Sequence, residues 1–183
     1  MDHADHLDLL RAAVIPGETW ADLGSGTGAF TLALAELLGP AGTIWSIDRD
    51  ARALGEQAAM LRALPVGTAA RVLPLVADFT RGAGLSLPPL DGIVMANSLH
   101  FVRDPVPVVA GLAGHLRPGG RFVLVEYDAD RGNHWVPHPI SAARWPSVAE
   151  AAGLRDVREI GRRGSRFLNA IYSAVAVRSG SPV

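Results

Sequence analysis

One short stretch, Asp22-Leu23-Gly24-Ser25-Gly26-Thr27-Gly28, constrains this chain more than any other. Before it lies Thr19–Leu23 (TWADL), short and apolar enough for a strand. After it comes Ala29–Leu38 (AFTLALAELL), a strongly helical run stopped by Gly39-Pro40. Glycines at alternate positions let the backbone turn tightly and let a ligand approach without interference from a Cβ. The segment predicts a strand, a glycine elbow and a helix.

The rest of the chain continues the alternation. Residues 5–14 read as a helix ended by Pro16-Gly17. Strands are expected at Thr43–Ile47, Arg71–Val76, Gly92–Ala96 and Arg121–Val125, the last after the turn Pro118-Gly119-Gly120. Helices are expected at Ala51–Leu64, Pro105–Leu116 and Ser141–Ala152, with Ser141 as the N-cap of the third. Short apolar strands alternating with helices mean a parallel sheet covered on both faces. Only Gly161–Ser165 joins the last two strands, Val157–Ile160 and Leu168–Val177. Such a link suits an antiparallel hairpin at the sheet edge. There is no internal repeat or linker, so a single domain is expected over residues 1–183.

Composition narrows the function. Apolar residues are 49% and charged residues 19%, enough for a sizeable core and too apolar for disorder. Seventeen basic residues, all Arg, against 18 acidic leave a net charge of −1. That is no global footprint for nucleic acid or an anionic membrane. Cysteine is absent, which excludes disulfides, zinc–thiolate sites, iron–sulfur clusters and a Cys nucleophile. His134 and His138 are four apart, but Pro137 and Pro139 prevent the helix that would align them, so no metal site is expected. The N-terminus is acidic, and every apolar stretch is far shorter than the roughly 18–20 residues a membrane span needs. The expectation is a soluble cytoplasmic protein.

Three acids end three expected strands. Asp22 precedes the elbow, Asp48 follows the second strand, and Asp78 with Phe79 follows the third. In a doubly wound sheet the acid at the second position reaches the crevice beside the first strand and can bind ribose hydroxyls. Asp78 and Phe79 can meet an adenine ring by hydrogen bonding and stacking. Each acid could instead cap a helix or steady a turn, but three at three strand ends favour a ligand. Glycine loops that bind phosphate avoid a carboxylate at the point of approach. Asp22, two residues before Gly24, suits a ligand carrying positive charge.

Residues 20–28 (WADLGSGTG) resemble motif I of class I S-adenosylmethionine-dependent methyltransferases. Ile44–Asp48, Val76–Phe79, Gly92–Val102 and Leu116–Glu126, with its L-x-P-G-G turn, resemble the family's following elements in the family's order. The small-molecule branch (methyltransferase type 11/25 or ubiquinone/menaquinone-like) is the nearest in flavour. The resemblance implies a Rossmann-like α/β fold: a seven-stranded, mostly parallel sheet of order 3-2-1-4-5-7-6, the last strand antiparallel, with helices on both faces. It implies S-adenosylmethionine as methyl donor and S-adenosylhomocysteine as product. Asp22 with the backbone of Gly24, Ser25 and Gly26 would hold the methionine moiety, and Gly28 would allow close helix packing. Asp48 would take the ribose, with Arg49 flanking the adenine and Asp78 and Phe79 bracketing its edge. Asn97 and Ser98 would stand near the sulfonium. His100, just beyond the fourth strand, is the candidate base, or else a residue that only lines the pocket.

The expected acceptor is a small organic molecule. The segment Asn97-Ser98-Leu99-His100 lacks the Pro-Pro-aromatic element of amino-methylating nucleic-acid enzymes, and cytosine C5 and arsenic methylation need Cys. With little inserted sequence, the acceptor pocket is open or completed by a second subunit, a homodimer. Trp135 with His134 and His138 can wall the acceptor or simply pack over the sheet edge. The positives Arg155, Arg158, Arg162, Arg163 and Arg166 read as a solvated face with Asp156 and Glu159 interleaved, rather than an anion site. Two other functions stay open. A Rossmann-type NAD(P)-binding oxidoreductase fits Gly24, Gly26 and Asp48, but the third glycine comes one residue early and no Lys exists for a Tyr-x-x-x-Lys element. A non-catalytic nucleoside-binding module would keep the fold and the pocket.

Overall fold

The computed structural model describes residues 1–65, 67–165 and 167–180. Strands β1 (Thr19–Leu23), β2 (Thr43–Asp48), β3 (Arg71–Val76), β4 (Leu90–Ala96), β5 (Leu116–Tyr127), β6 (Leu154–Gly164) and β7 (Ala170–Arg178) form one sheet, ordered β3-β2-β1-β4-β5-β7-β6. The pairs from β3 through to β5 are parallel; β7 runs antiparallel to both β5 and β6. This is the expected order and the expected terminal hairpin.

Alternation along the strands divides the core in two. Ala21, Leu23, Ile93, Met95, Phe122 and Leu124 face one way, against α4 (Pro105–Ala113) and α5 (Trp145–Ala151). Trp20, Ile44, Val94, Val123 and Val125 face the other, against α1 (His3–Leu10) and α2 (Ala29–Leu38). α3 (Ala51–Leu61) is tied to α2 by Gln57, whose Nε2 donates to Thr31 Oγ1 at 2.9 Å.

Several boundaries differ from expectation for identifiable reasons. α1 begins at His3 because Asp2 and Asp5 make a reciprocal cap: each side chain accepts from the other's backbone N–H. α5 starts at Trp145, not Ser141. Pro146 is tolerated only in a first turn, and the Ser141 hydroxyl caps nothing, its backbone carbonyl instead accepting from Arg144 and Trp145. The Pro118-Gly119-Gly120 turn lies within β5 as an excursion, since Leu90 pairs with Leu116 while Gly92 already pairs with Arg121. Arg71–Val76, whose apolar composition reads as a buried strand, is instead the sheet edge β3, largely exposed.

The centre of the sheet depends on one close approach. Gly92 lies beside Trp20, and a Cβ there would stand 2.2 Å from the indole. That indole donates from Nε1 to Glu18 at 2.9 Å and lies beneath the Arg121 guanidinium, which pairs with Glu18. Gly92→Ala is therefore expected to cost about 1–3 kcal/mol in urea unfolding, as overpacking does. Gly55→Ala on α3, where the added methyl meets nothing, should instead stabilise by about 0.5–1 kcal/mol. Equal effects at the two glycines would show that the Trp20 contact does not decide the packing.

Candidate active site

The glycine elbow leaves β1 at the place where its neighbours β2 and β4 continue in opposite directions across the sheet. Crevices at such switch points, beyond the carboxyl ends of strands, are where open α/β sheets bind ligands. The elbow is held from both sides. Gly24 and Ser25 N–H donate to Ile47 O at 2.8 and 3.1 Å, and Ser98 Oγ donates to Leu23 O at 2.7 Å. Asp48 accepts from Gly26 N–H at 2.8 Å through Oδ2 and from Asp50 N–H at 2.9 Å through Oδ1. Gly24, Gly26 and Gly28 all have positive φ, at 74, 54 and 93°. A Cβ at Gly24 would stand 2.5 Å from Ser98 Cβ, and one at Gly28 2.5 Å from Gln57 Cγ, whereas Gly26 faces open space.

A buried polar chain supports this loop. Asp22 accepts from Thr31 Oγ1 at 2.6 Å; Thr31 accepts from Gln57 Nε2; Gln57 Oε1 and Ser25 Oγ each stand 2.8 Å from Ser46 Oγ. Thr31, Ser46 and Gln57 escaped the reading of the sequence. The available signal was a lone Thr in the apolar run of α2. Burial, reinforced by the charge of Asp48, pushes the Asp22 carboxyl up to about 7, against the pull of its Thr31 bond.

Two adjoining cavities share Gly24, Gly26 and Asn97 in their walls. One, of about 410 Å³, is lined by Asp48, Arg49, Asp78, Phe79 and Ser98, together with Asp50, Thr80 and Phe101. The other, of about 250 Å³, is lined by Asp22, Ser25, Gly28, His6 and Phe30. The structure thus brings together every expected donor-site residue along one cleft. Asp78 accepts from both the N–H and the hydroxyl of Thr80, and these bonds hold its carboxyl below the usual range. Asn97 adopts a left-handed conformation (φ 52°), and its buried Oδ1 has no partner.

His100 is placed differently from the cleft residues. It lines neither cavity and is only 3% exposed. Its Nδ1 lies 2.9 Å from both oxygens of the fully buried Glu126, which also accepts from Tyr127 N–H at 2.8 Å. Its ring packs 4.4 Å, centroid to centroid, from Phe101 in the cleft wall. The arginine cluster is largely spent in ion pairs: Arg162 with Asp128 and Glu159, Arg163 with Asp5 and Asp8, Arg155 with Asp156. Arg166 lies outside the described residues. No helix among the described residues is long and apolar enough to cross a membrane.

The family model described as a methyltransferase domain matches residues 21–122, more than half of the chain. The chain belongs to that family, and S-adenosylmethionine-dependent methyl transfer is its class of activity. No curated protein matches it. Among solved structures it is similar to the YcgJ protein of Bacillus subtilis, with TM-score 0.74, 14% identity and coverage of 98% of this chain and 100% of that one. It is also similar to a SAM-dependent methyltransferase from Aquifex aeolicus (0.72, 19%, 94% and 89%) and to the N-methyltransferase NodS of Bradyrhizobium japonicum (0.69, 21%, 97% and 94%). At these identities the likeness is one of fold.

The buried Asp22 carboxyl makes a testable pH signature. Between about pH 4 and 7 it is protonated in the folded chain and ionised in the unfolded one. The folded state then binds the extra proton, so this contribution to stability is complete below pH 4 and is lost as pH rises towards 7. Asp22→Asn, which cannot ionise, should gain on the parent chain across that interval when urea midpoints are compared at pH 4.5 and 7.5. A constant difference would mean that Asp22 titrates as an ordinary carboxylate.

Proposed function

We propose that the paired cavities hold S-adenosylmethionine, the nucleoside against Asp48, Arg49, Asp78 and Phe79 and the methionine end against Asp22, Gly24, Ser25, Gly26 and Asn97, and that the acceptor is a small organic molecule. The observation that carries this reading is the charge of the cleft: the carboxylates of Asp48, Asp50 and Asp78, against the single guanidinium of Arg49, stand around a glycine floor, with the buried Asp22 carboxyl at its methionine end. An ammonium and a sulfonium are attracted there, whereas a pyrophosphate would be repelled. The open face at Gly26 and the unpartnered Asn97 Oδ1 fit a ligand with hydrogen-bond donors of its own. Held by these residues, S-adenosylmethionine would supply a methyl carbon activated for displacement by its positive sulfur, with a neutral thioether as the leaving group.

The chain's own tasks are then alignment, exclusion of water and removal of a proton. His100 is the proposed base. Its Nδ1–H bond to Glu126 fixes the tautomer, leaving the Nε2 lone pair for the acceptor's proton. Because His100 is buried beside Phe101, that ring has to shift for His100 to meet an acceptor.

Calorimetry with S-adenosylhomocysteine and with NADH tests the donor. The homocysteine nucleoside should bind, and Asp48→Ala should weaken it by about 1–3 kcal/mol, the cost of unpairing polar groups. Unchanged affinity would remove the ribose role from Asp48, and binding of NADH alone would favour a dehydrogenase. His100→Ala and Glu126→Gln should lower kcat for transfer of a tritiated methyl group while leaving donor affinity within about two-fold. Undiminished kcat in both would make the pair purely structural.

A further inference from the structure

We propose that the methyl acceptor is a planar aromatic molecule, bound against a row of aromatic side chains that runs from the donor cleft along the carboxyl ends of β4 and β5 to the β6–β7 hairpin. The row starts at Phe101 in the donor cleft and passes through His100 to Tyr127 (ring centroids 6.3 Å apart). Tyr127 packs 5.6 Å from Phe167 of the hairpin, and Phe167 packs edge-on, 5.9 Å, against Trp135 of the loop after β5.

His100 lies buried between Phe101 and Tyr127, but the other rings are not core residues. Phe101 is 61%, Trp135 67% and Phe167 48% exposed, and every exposed Phe or Trp among the described residues stands in this row. Exposed apolar side chains scattered singly need no explanation, but Tyr127, Phe167 and Trp135 form a contiguous group, with Phe101 on the cleft side of His100, and such a group marks a binding surface. Tyr127 and Phe167, with Met1, Asp2, Asp5 and Ile171, wall a further cavity of about 460 Å³, within the usual range for a small-molecule site, and Trp135 stands beside it against Phe167. Met1 lines both this cavity and the methionine half of the donor cleft, so the two spaces adjoin. The wall is braced, because Arg163 of β6 pairs with Asp5 and Asp8 of α1, which fixes the hairpin against the helix.

The geometry selects a class of ligand. Rings already set edge-to-face and tilted offer both faces and edges to a further ring, and aromatic pairs gain beyond the area that they bury. A flat aromatic acceptor makes such contacts with the rings it lies against, Tyr127, Phe167 and Trp135; a saturated one of equal bulk buries the same area without them. This assignment deepens the donor reading and rests on it for the direction of methyl transfer.

The test uses the full chain saturated with S-adenosylhomocysteine and two probes, 2-naphthol and its saturated analogue decahydro-2-naphthol, by calorimetry and by tryptophan emission. We expect 2-naphthol to bind about ten-fold more tightly than the saturated alcohol, the worth of one or two aromatic pairs. We expect Trp135→Ala and Phe167→Ala each to weaken it about five-fold with S-adenosylhomocysteine affinity unchanged, and the exposure of both side chains makes misfolding of these variants a small risk. Equal binding of the two probes, or indifference of 2-naphthol to both variants, overturns the proposal. So does a dimer in sedimentation whose formation buries Trp135, because the row would then be a self-interface. If S-adenosylhomocysteine does not bind, the donor reading fails, and the same probe comparison on the free chain still decides the aromatic site.

Discussion

A carboxyl group at the end of the central strand, taken wholly out of water, is the constraint on which the rest is arranged. Left unpaired, such a group is among the costliest things a fold can bury. Here the cost is met by Thr31, in the first turn of α2, and by the Gln57 and Ser46 groups behind it. The consequence is geometric. Asp22 fixes the start of α2, Gln57 fixes α3 against α2, and Ser46 with Ser25 returns the chain of contacts to the elbow. The glycines follow from the same closeness. Gln57 lies where a Gly28 Cβ would be, and Ser98 where a Gly24 Cβ would be.

The donor half of the molecule was legible because its information is local. Strand, elbow, helix and the acid ending the next strand lie within thirty residues (19–48), and their types follow from periodicity and glycine placement. The strand order came from the resemblance, not from the pattern, and the sheet has that order. Where the reading slipped, a local rule was outweighed by a longer-range one. Ser141 looks like an N-cap, but Pro146 sets where α5 can begin. Arg71–Val76 has the composition of a buried strand, but topology puts it at the edge.

The contacts of the proposed acceptor half were not legible, for a reason of distance along the chain. His100 meets Glu126 only because β4 and β5 are parallel neighbours, and Tyr127 meets Phe167 only because β7 returns antiparallel beside β5. Nothing in the spacing of those residues announces the pairing. For Trp135 the sequence offers two roles, wall or packing loop; its ring stands exposed against Phe167. The arginines of the hairpin show the converse. Read as a solvated face neutralised by Asp156 and Glu159, they do meet those two acids, and the further acids that complete the pairing, Asp5, Asp8 and Asp128, lie on α1 and after β5, far away in sequence.

The two halves are joined by charge as well as by space. On the proposed reading, a donor enters with a positive sulfur and a positive amine, and the methionine end comes to rest beside a carboxyl that burial keeps protonated up to about pH 7. A cation at that position favours the ionised form, so donor binding and proton release from Asp22 are linked. Once the methyl has left, the sulfur is neutral and part of that attraction is gone. On this reading the burial that makes Asp22 expensive to the fold also ties its ionisation to the charge of whatever occupies the cleft. An acid fully open to water, screened at all times, would respond far less.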